Sequence, residues 1–324
     1  MREGVNPEKY KSGLNKSYFH RIIIPVYIPE TDDTYFSESL EIFRKTLNSI
    51  ERTVNPEITA VSIIDNHSSG VVKELINSYC ERGVVDKLVT YSENRGKVYA
   101  AVSEARACYE PFVTIADADV LFFKGWENAV FQVFKEHPKA GVVSPVPSQN
   151  LGLYYTSSVF FDNFWKRNIG YDKVVSDRDC EFFIRGMGNP ALLKRDKNKY
   201  NWKEKQYYLK GDTKAIIGAG HFVATYKRGL FNQNSGFPEK KFDIGYEQSF
   251  LDKLADKAGT YRLSTPKTYA YHMGNKMDEF IREYQGSGEI LRNIPCVCNS
   301  LPKLNTPYSL RSAFFKTMKK LIKF

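Results

Sequence analysis

The chain has 324 residues, 47 of them Lys or Arg against 37 Asp or Glu, with 42% hydrophobic and 26% charged side chains. That balance belongs to one large or two ordinary globular domains and excludes a fibre, a collagen or a disordered tail. No stretch approaches the roughly 20 apolar residues of a membrane-spanning helix, and the start has no apolar leader. The five scattered cysteines (Cys80, Cys108, Cys180, Cys296, Cys298) read as reduced thiols. A cytoplasmic protein is expected.

In chain order, 21–27 is a continuous apolar run suited to a buried strand, and Leu40, Phe43, Leu47 and Ile50 then recur at helical spacing. A second strand is predicted over 58–65. Val72, Leu75, Ile76 and Tyr79 form the next helical face, closed by Gly83, and 84–91 reads as a third strand. Val98, Ala101, Val102 and Ala105 mark a third helix, and 112–116 a fourth strand that ends at Asp117-Ala118-Asp119. Alternation of this kind specifies an α/β fold, a mostly parallel sheet with helices on both faces. Beyond Val120 the rhythm is irregular, with a helical pattern at Tyr246, Phe250, Leu251 and Leu254 and a last strand ending at Tyr271-His272.

The charge is unevenly placed. Segments 185–214 and 301–324 each carry a net +6, more together than the +10 of the whole chain, so the rest is slightly acidic. A protein that tracks nucleic-acid phosphates spreads its basic residues over its body, so nucleic acid is not an expected partner. In 185–214, Tyr200, Trp202, Tyr207 and Tyr208 offer sugar-stacking faces or an anionic-acceptor surface; a solvated loop has the same composition. In the tail, Leu310, Phe314, Met318 and Leu321 share a helical face, with Arg311, Lys316, Lys319, Lys320 and Lys323 around it. This describes either a helix lying on an anionic membrane surface or one packed on the body.

A sheet of this class binds ligands at the carboxyl ends of its strands. Those ends carry Pro25 and Tyr27, Asp65 and Asn66, Asn94-Arg95-Gly96-Lys97, and Asp117 with Asp119. A nucleotide's base, its phosphates and their metal follow the same order along such a row.

Ile24-Pro25-Val26-Tyr27, Ile64-Asp65-Asn66-His67-Ser68, Asn94-Arg95-Gly96, Asp117-Ala118-Asp119-Val120, Gly245-Tyr246-Glu247-Gln248 and His272 stand together in order and spacing. On these residues the chain resembles glycosyltransferase family 2, inverting enzymes with the GT-A fold, over residues 21–274. The resemblance implies a Rossmann-like nucleotide-sugar-binding half at 20–120 and an acceptor half bearing the base at 121–280. An extension at 1–19 and a basic amphipathic one at 281–324 flank them. It further implies a nucleotide-diphosphate sugar donor, a divalent cation (Mn2+ or Mg2+) and a glycan or lipid-linked acceptor in surface polysaccharide biosynthesis.

Within that resemblance Asp119 is the direct metal ligand, Asp117 a second ligand or a partner of ribose or sugar hydroxyls, and His272 a neutral imidazole for the metal or the diphosphate. Asp65 accepts from the N3–H of uracil or thymine, favouring a UDP- or dTDP-sugar. Arg95 and Lys97 meet the diphosphate or hold a turn, Pro25 and Tyr27 flank the base or simply pack, and Asn66 joins the donor-binding set. Inversion needs a carboxylate to take the acceptor's proton. The family's acidic pair is Glu247-Gln248 here, so Glu247 takes the role, with Asp243 second. Gly218-Ala219-Gly220-His221 is not a dinucleotide motif and offers backbone for close approach of a sugar. Because Gln248 stands where aspartate is expected, a non-catalytic nucleotide-sugar or glycan-binding scaffold is the alternative. A nucleotidyltransferase would want a Gly-rich basic loop after the first strand, where Pro29-Glu30-Thr31-Asp32 stands instead.

Overall fold

The computed structural model describes residues 4–10, 18–189, 192, 200–232, 236–239, 242–243, 245–284, 297–303 and 305–321. Cys296, Lys323 and most of the basic run at 190–199 lie outside them. The strands are β1 (His20–Val26), β2 (Thr59–Asp65), β3 (Lys87–Thr90), β4 (Phe112–Ala116), β5 (Val120–Phe122), β6 (Ala140–Ser144), β7 (Ile169–Asp172), β8 (Gln206–Leu209), β9 (Ile216–Ile217), β10 (Val223–Lys227), β11 (Tyr261–Ser264) and β12 (Ala270–His272). The helices are α1 (Ser39–Thr53), α2 (Gly70–Glu81), α3 (Lys97–Ala107), α4 (Trp126–Glu136), α5 (Ser157–Asn163), α6 (Asp177–Met187), α7 (Gly229–Asn232), α8 (Lys253–Lys257), α9 (Glu279–Glu283) and α10 (Tyr308–Leu321).

The main sheet runs β3-β2-β1-β4-β10-β6-β11-β9-β8-β7. Pairing is parallel through β3, β2, β1 and β4 and again between β6 and β11. Strand β10 enters antiparallel between β4 and β6. Alternate side chains serve opposite faces of the sheet. Ile22 and Ile24 pack with Phe43 and Leu47 of α1 and Val72 and Ile76 of α2. Ile23 and Ile64 pack with Val98, Ala101 and Val102 of α3 and Leu254 of α8. Both faces are covered, which explains why β1 and β2 read as unbroken apolar runs. Each buried Ile, Leu, Val or Phe contributes roughly 1.5–3 kcal/mol. The fold class expected from the sequence is the one observed.

Strand β5 leaves the main sheet and pairs antiparallel with β12, setting His272 opposite Val120. The described parts of the two basic segments pack on the body. Tyr200, Trp202 and Tyr207 are buried in the core beside β8, so they present no free sugar-stacking platform. Helix α10 packs against α5, with Phe315 against Phe160 (ring centroids 5.1 Å apart) and Met318 buried. The buried row is Arg311, Phe315 and Met318, while Leu310, expected on the apolar face, is 59% exposed.

Candidate active site

Two cavities open at the carboxyl ends of the parallel strands and share Asp117 and Glu247 in their walls. The first, of about 520 Å3, is lined by Pro25, Tyr27, Asn66, Lys97, Asp117 and Asp119 from the expected set. Tyr35 and Phe36, which the sequence reading did not single out, join Tyr27 in an aromatic wall; Phe36 meets both rings edge-on, at 6.3 Å from Tyr27 and 5.0 Å from Tyr35. Asn66 braces the loop before α3, its amide donating to Asn94 Oδ1 at 2.7 Å and its carbonyl accepting from the Arg95 N–H at 2.9 Å. Gly96 closes that loop at φ +79°, a conformation costly for a side-chain-bearing residue, and so brings the start of α3 to the cavity.

Lys97 and Arg95 part company at this loop. Lys97 enters the cavity, whereas the Arg95 guanidinium lies 4.4 Å over the Tyr91 ring and 3.5 Å from Glu93. Arg95 lines neither cavity and holds the turn. Asp65 is buried just behind Asn66, and its Oδ1 accepts from the Ser68 N–H at 2.7 Å. Its Oδ2 is buried with no hydrogen-bond partner among the described residues.

Asp117, Asp119 and His272 bring one ligand atom each within 4.8 Å of one another. The β5–β12 pair builds this cluster, because the Met273 N–H donates to the Asp119 carbonyl at 2.8 Å. His272 Nδ1 donates to the Gly186 carbonyl at 2.9 Å, and its Nε2 lies 3.4 Å from Asp119 Oδ2. An imidazole tied in this way is oriented as a metal ligand. Asp119 Oδ1 is buried without a partner, and burial together with the Asp117 charge pushes its carboxyl pKa up. Two carboxylates and an imidazole suit Mn2+ or Mg2+, and an ion would compensate the Asp119 oxygen left without a partner.

The second cavity, of about 560 Å3, is lined on its polar side by Ser148, Asn150, His221, Glu247, Gln248, Asp252 and His272, and elsewhere by Leu151, Phe183, Met187 and Phe222. Glu247 begins a helical segment that passes through a π turn (Gln248–Asp252) into α8. Its Oε1 lies 3.4 Å from Lys97 Nζ and its Oε2 3.1 Å from His221 Nε2; Lys97 also pairs with Asp117. Burial alone would raise the Glu247 pKa, but His221 and Lys97 outweigh it and hold the carboxyl at about 2. Burial likewise works against the Lys97 charge, and Asp117 and Glu247 overcome it, so its pKa is raised. Asp243 is exposed and lines neither cavity; its carbonyl accepts from the Tyr246 N–H.

Sequence reasoning set His221 aside and did not weigh Asp252 or Arg262. The available signal was a carboxylate, Asp252, on the apolar stripe of Leu251 and Leu254, since a buried charge implies a buried partner. Gly218 does allow a close approach, but to protein: at φ +118°, an added Cβ would stand 2.6 Å from the Ser148 carbonyl oxygen.

A mixed sheet with parallel β3-β2-β1-β4 pairing, an Asp-x-Asp turn after β4 and a two-lobed cleft is the GT-A class of fold. A family model for glycosyl transferase family 2 matches residues 22–198, more than half of the sequence. The chain belongs to glycosyltransferase family 2. It is 28% identical over 142 residues to polypeptide N-acetylgalactosaminyltransferase 18 of Mus musculus, covering 41% of this chain and 22% of that protein. The Homo sapiens protein of that name gives 28% over 142 residues, 41% of this chain and 23% of its own. The chain thus spans between a fifth and a quarter of these relatives' length. Similar solved structures include S. aureus TarS 1–349 (TM-score 0.47, 13% identity, 78% of this chain and 60% of that one). Another is the mannosyltransferase PcManGT from Pyrobaculum calidifontis in complex with GDP-Man and Mn2+ (TM-score 0.46, 16% identity, 79% and 59%).

Proposed function

We propose that the chain is a metal-dependent, inverting glycosyltransferase that moves a sugar from a UDP- or dTDP-sugar to a glycan or lipid-linked glycan in surface polysaccharide assembly. The observation that carries this reading is the meeting of two cavities at Asp117 and Glu247. The aromatic first cavity takes the nucleoside and Lys97 meets the diphosphate; Asp65 is fully buried behind Asn66 and outside that cavity's lining, and its unpartnered Oδ2 is what supports an acceptor for a base N3–H. Asp117, Asp119 and His272 hold the divalent ion, which would offset negative charge on the departing diphosphate. The acceptor enters the second cavity, and its hydroxyl attacks the anomeric carbon as Glu247 takes the proton. Residues 20–120 form the donor half and 121–280 the acceptor half. Among the described residues no helix is long and apolar enough to cross a membrane. The outward face of α10, with Leu310, Lys316 and Lys320 exposed, suits peripheral contact with an anionic inner leaflet.

The test is calorimetry with UDP, dTDP, GDP and CMP, each with and without manganese, on wild type and Asp119→Ala. UDP or dTDP should bind only with metal and lose binding in the variant. Silence from every nucleotide under all conditions overturns the reading and leaves the scaffold alternative.

A further inference from the structure

A row of alternating charges runs through the cleft wall behind Glu247. Arg262, buried on β11, donates through Nη1 to the Tyr154 carbonyl at 2.8 Å and through Nη2 to the Ala219 carbonyl. Its Nη2 also lies 3.0 Å from Asp252 Oδ1. Asp252 Oδ2 then meets His221 Nδ1 at 3.2 Å, and His221 Nε2 meets Glu247 Oε2 at 3.1 Å. A carboxylate only accepts, so an imidazole whose two nitrogens both face carboxylate oxygens must carry both protons. Asp252 is likewise fixed, because Arg262 is itself tied to two backbone carbonyls.

We propose that His221, clamped by Asp252 and Arg262, is a positioning residue that fixes the Glu247 carboxylate and leaves Oε1 as the proton-accepting oxygen. This rests on the reading of Glu247 as the base. With Oε2 tied to His221, Oε1 is the oxygen left over, 3.4 Å from Lys97 Nζ. During transfer the acceptor O–H bond breaks, the new O–C bond forms at the anomeric carbon and the bond to the diphosphate oxygen breaks. The proton stays on Glu247, because an imidazole already bearing both protons has no site for it. The row is therefore an orienting clamp and not a relay.

The other charged and titratable groups around His221 and Glu247 are Lys97 from α3, Asp117 from the turn after β4, Tyr226 from β10 and, in the wall of the second cavity, His272 from β12. Burial works against the His221 charge, but Asp252 and Glu247 prevail and raise its pKa to about 9. Glu247 therefore keeps its partner at neutral pH and loses it as pH climbs through that value.

The experiment measures donor binding, kcat, donor KM and the pH dependence of kcat on the full chain. His221→Ala should lower kcat about 10- to 100-fold, as loss of an orienting partner does, with donor KM unchanged because His221 lines only the second cavity. His221→Gln, which keeps an N–H donor, should recover part of the loss and lack the alkaline limb of wild type. Asp252→Asn should move that limb down toward the ordinary histidine value. Full kcat in His221→Ala, or an alkaline limb unmoved in both His221→Gln and Asp252→Asn, overturns the proposal while the transferase reading stands. Wild type that binds no nucleotide removes both. If the variants fail to fold, a nitrogen-15 titration of wild-type His221 decides: a charged imidazole at pH 8 supports the clamp, and a neutral one sinks it.

Discussion

Glu247 is the residue proposed as the base, and its surroundings separate it from Asp243. Both are carboxylates close in sequence to the helical segment after the second half's core strands. Of the two, only Glu247 lines both cavities, where it is paired with Lys97 and His221. Glu247→Gln keeps the shape and removes the proton acceptor. We expect kcat to fall about 10^2- to 10^4-fold, with nucleotide affinity retained in calorimetry. Asp243→Asn, exposed and outside both cavities, should turn over at the wild-type rate. Equal losses from the two changes would show that the base has been misplaced.

At the scale of elements, α10 shows how a packed face is built when one of its members is charged. Arg311 is buried and donates to three carbonyls, Asp256 and Lys257 at the end of α8 (2.8 and 3.0 Å) and Thr306 (2.5 Å). The Asp256 carbonyl also accepts from the Gly259 N–H and Ser158 Oγ, so the guanidinium adds to a helix end that is already partly capped and ties it to α10. Arg311→Ala removes three hydrogen bonds together with a buried side chain and should destabilise the protein by about 2–4 kcal/mol, lowering the melting temperature. An unchanged melting curve would mean that α10 does not hold the body together. The apolar pattern of the tail predicts a face through Leu310 and Phe314 because such a pattern counts only apolar residues, and a buried arginine is invisible to it. The same reasoning explains what else was legible. Strands β1, β2 and β4 announce themselves as apolar runs because both faces of the sheet are covered, and the strand-end residues Tyr27, Asn66, Lys97, Asp117 and Asp119 follow from topology alone. The insertion of β10 beside β4 is a long-range pairing with no local signal. His221 comes to Glu247 through that insertion, since the Asp117 N–H donates to the Phe222 carbonyl at 2.8 Å. The buried Tyr200, Trp202 and Tyr207 sit in a run of lysines that masks their role.

For the whole molecule, the charged row ties the cleft to global stability, so the site should be visible in the pH dependence of unfolding. The Glu247 pKa is depressed to about 2 in the folded chain. Its contribution is therefore present above the unfolded value of about 4.3 and disappears only as pH falls through about 2. His221 runs the other way: raised to about 9 in the folded chain, it stabilises fully below its unfolded value of about 6.5, and that stabilisation is lost as pH rises through about 9. A plateau between about pH 4.5 and 6.5 follows, with a decline on its alkaline side worth at most about 3 kcal/mol from this one group. Lysines, tyrosines and cysteines titrate near the upper end of that range as well, so the informative quantity is a difference between proteins. Thermal melts of wild type and His221→Gln, without metal or nucleotide, should diverge most between about pH 4.5 and 6.5, where wild type has its charged imidazole between two carboxylates, and converge by about pH 9.5. A constant offset between the two curves across this range would mean that His221 is neutral in the native state, and the row of alternating charges would then end at Asp252.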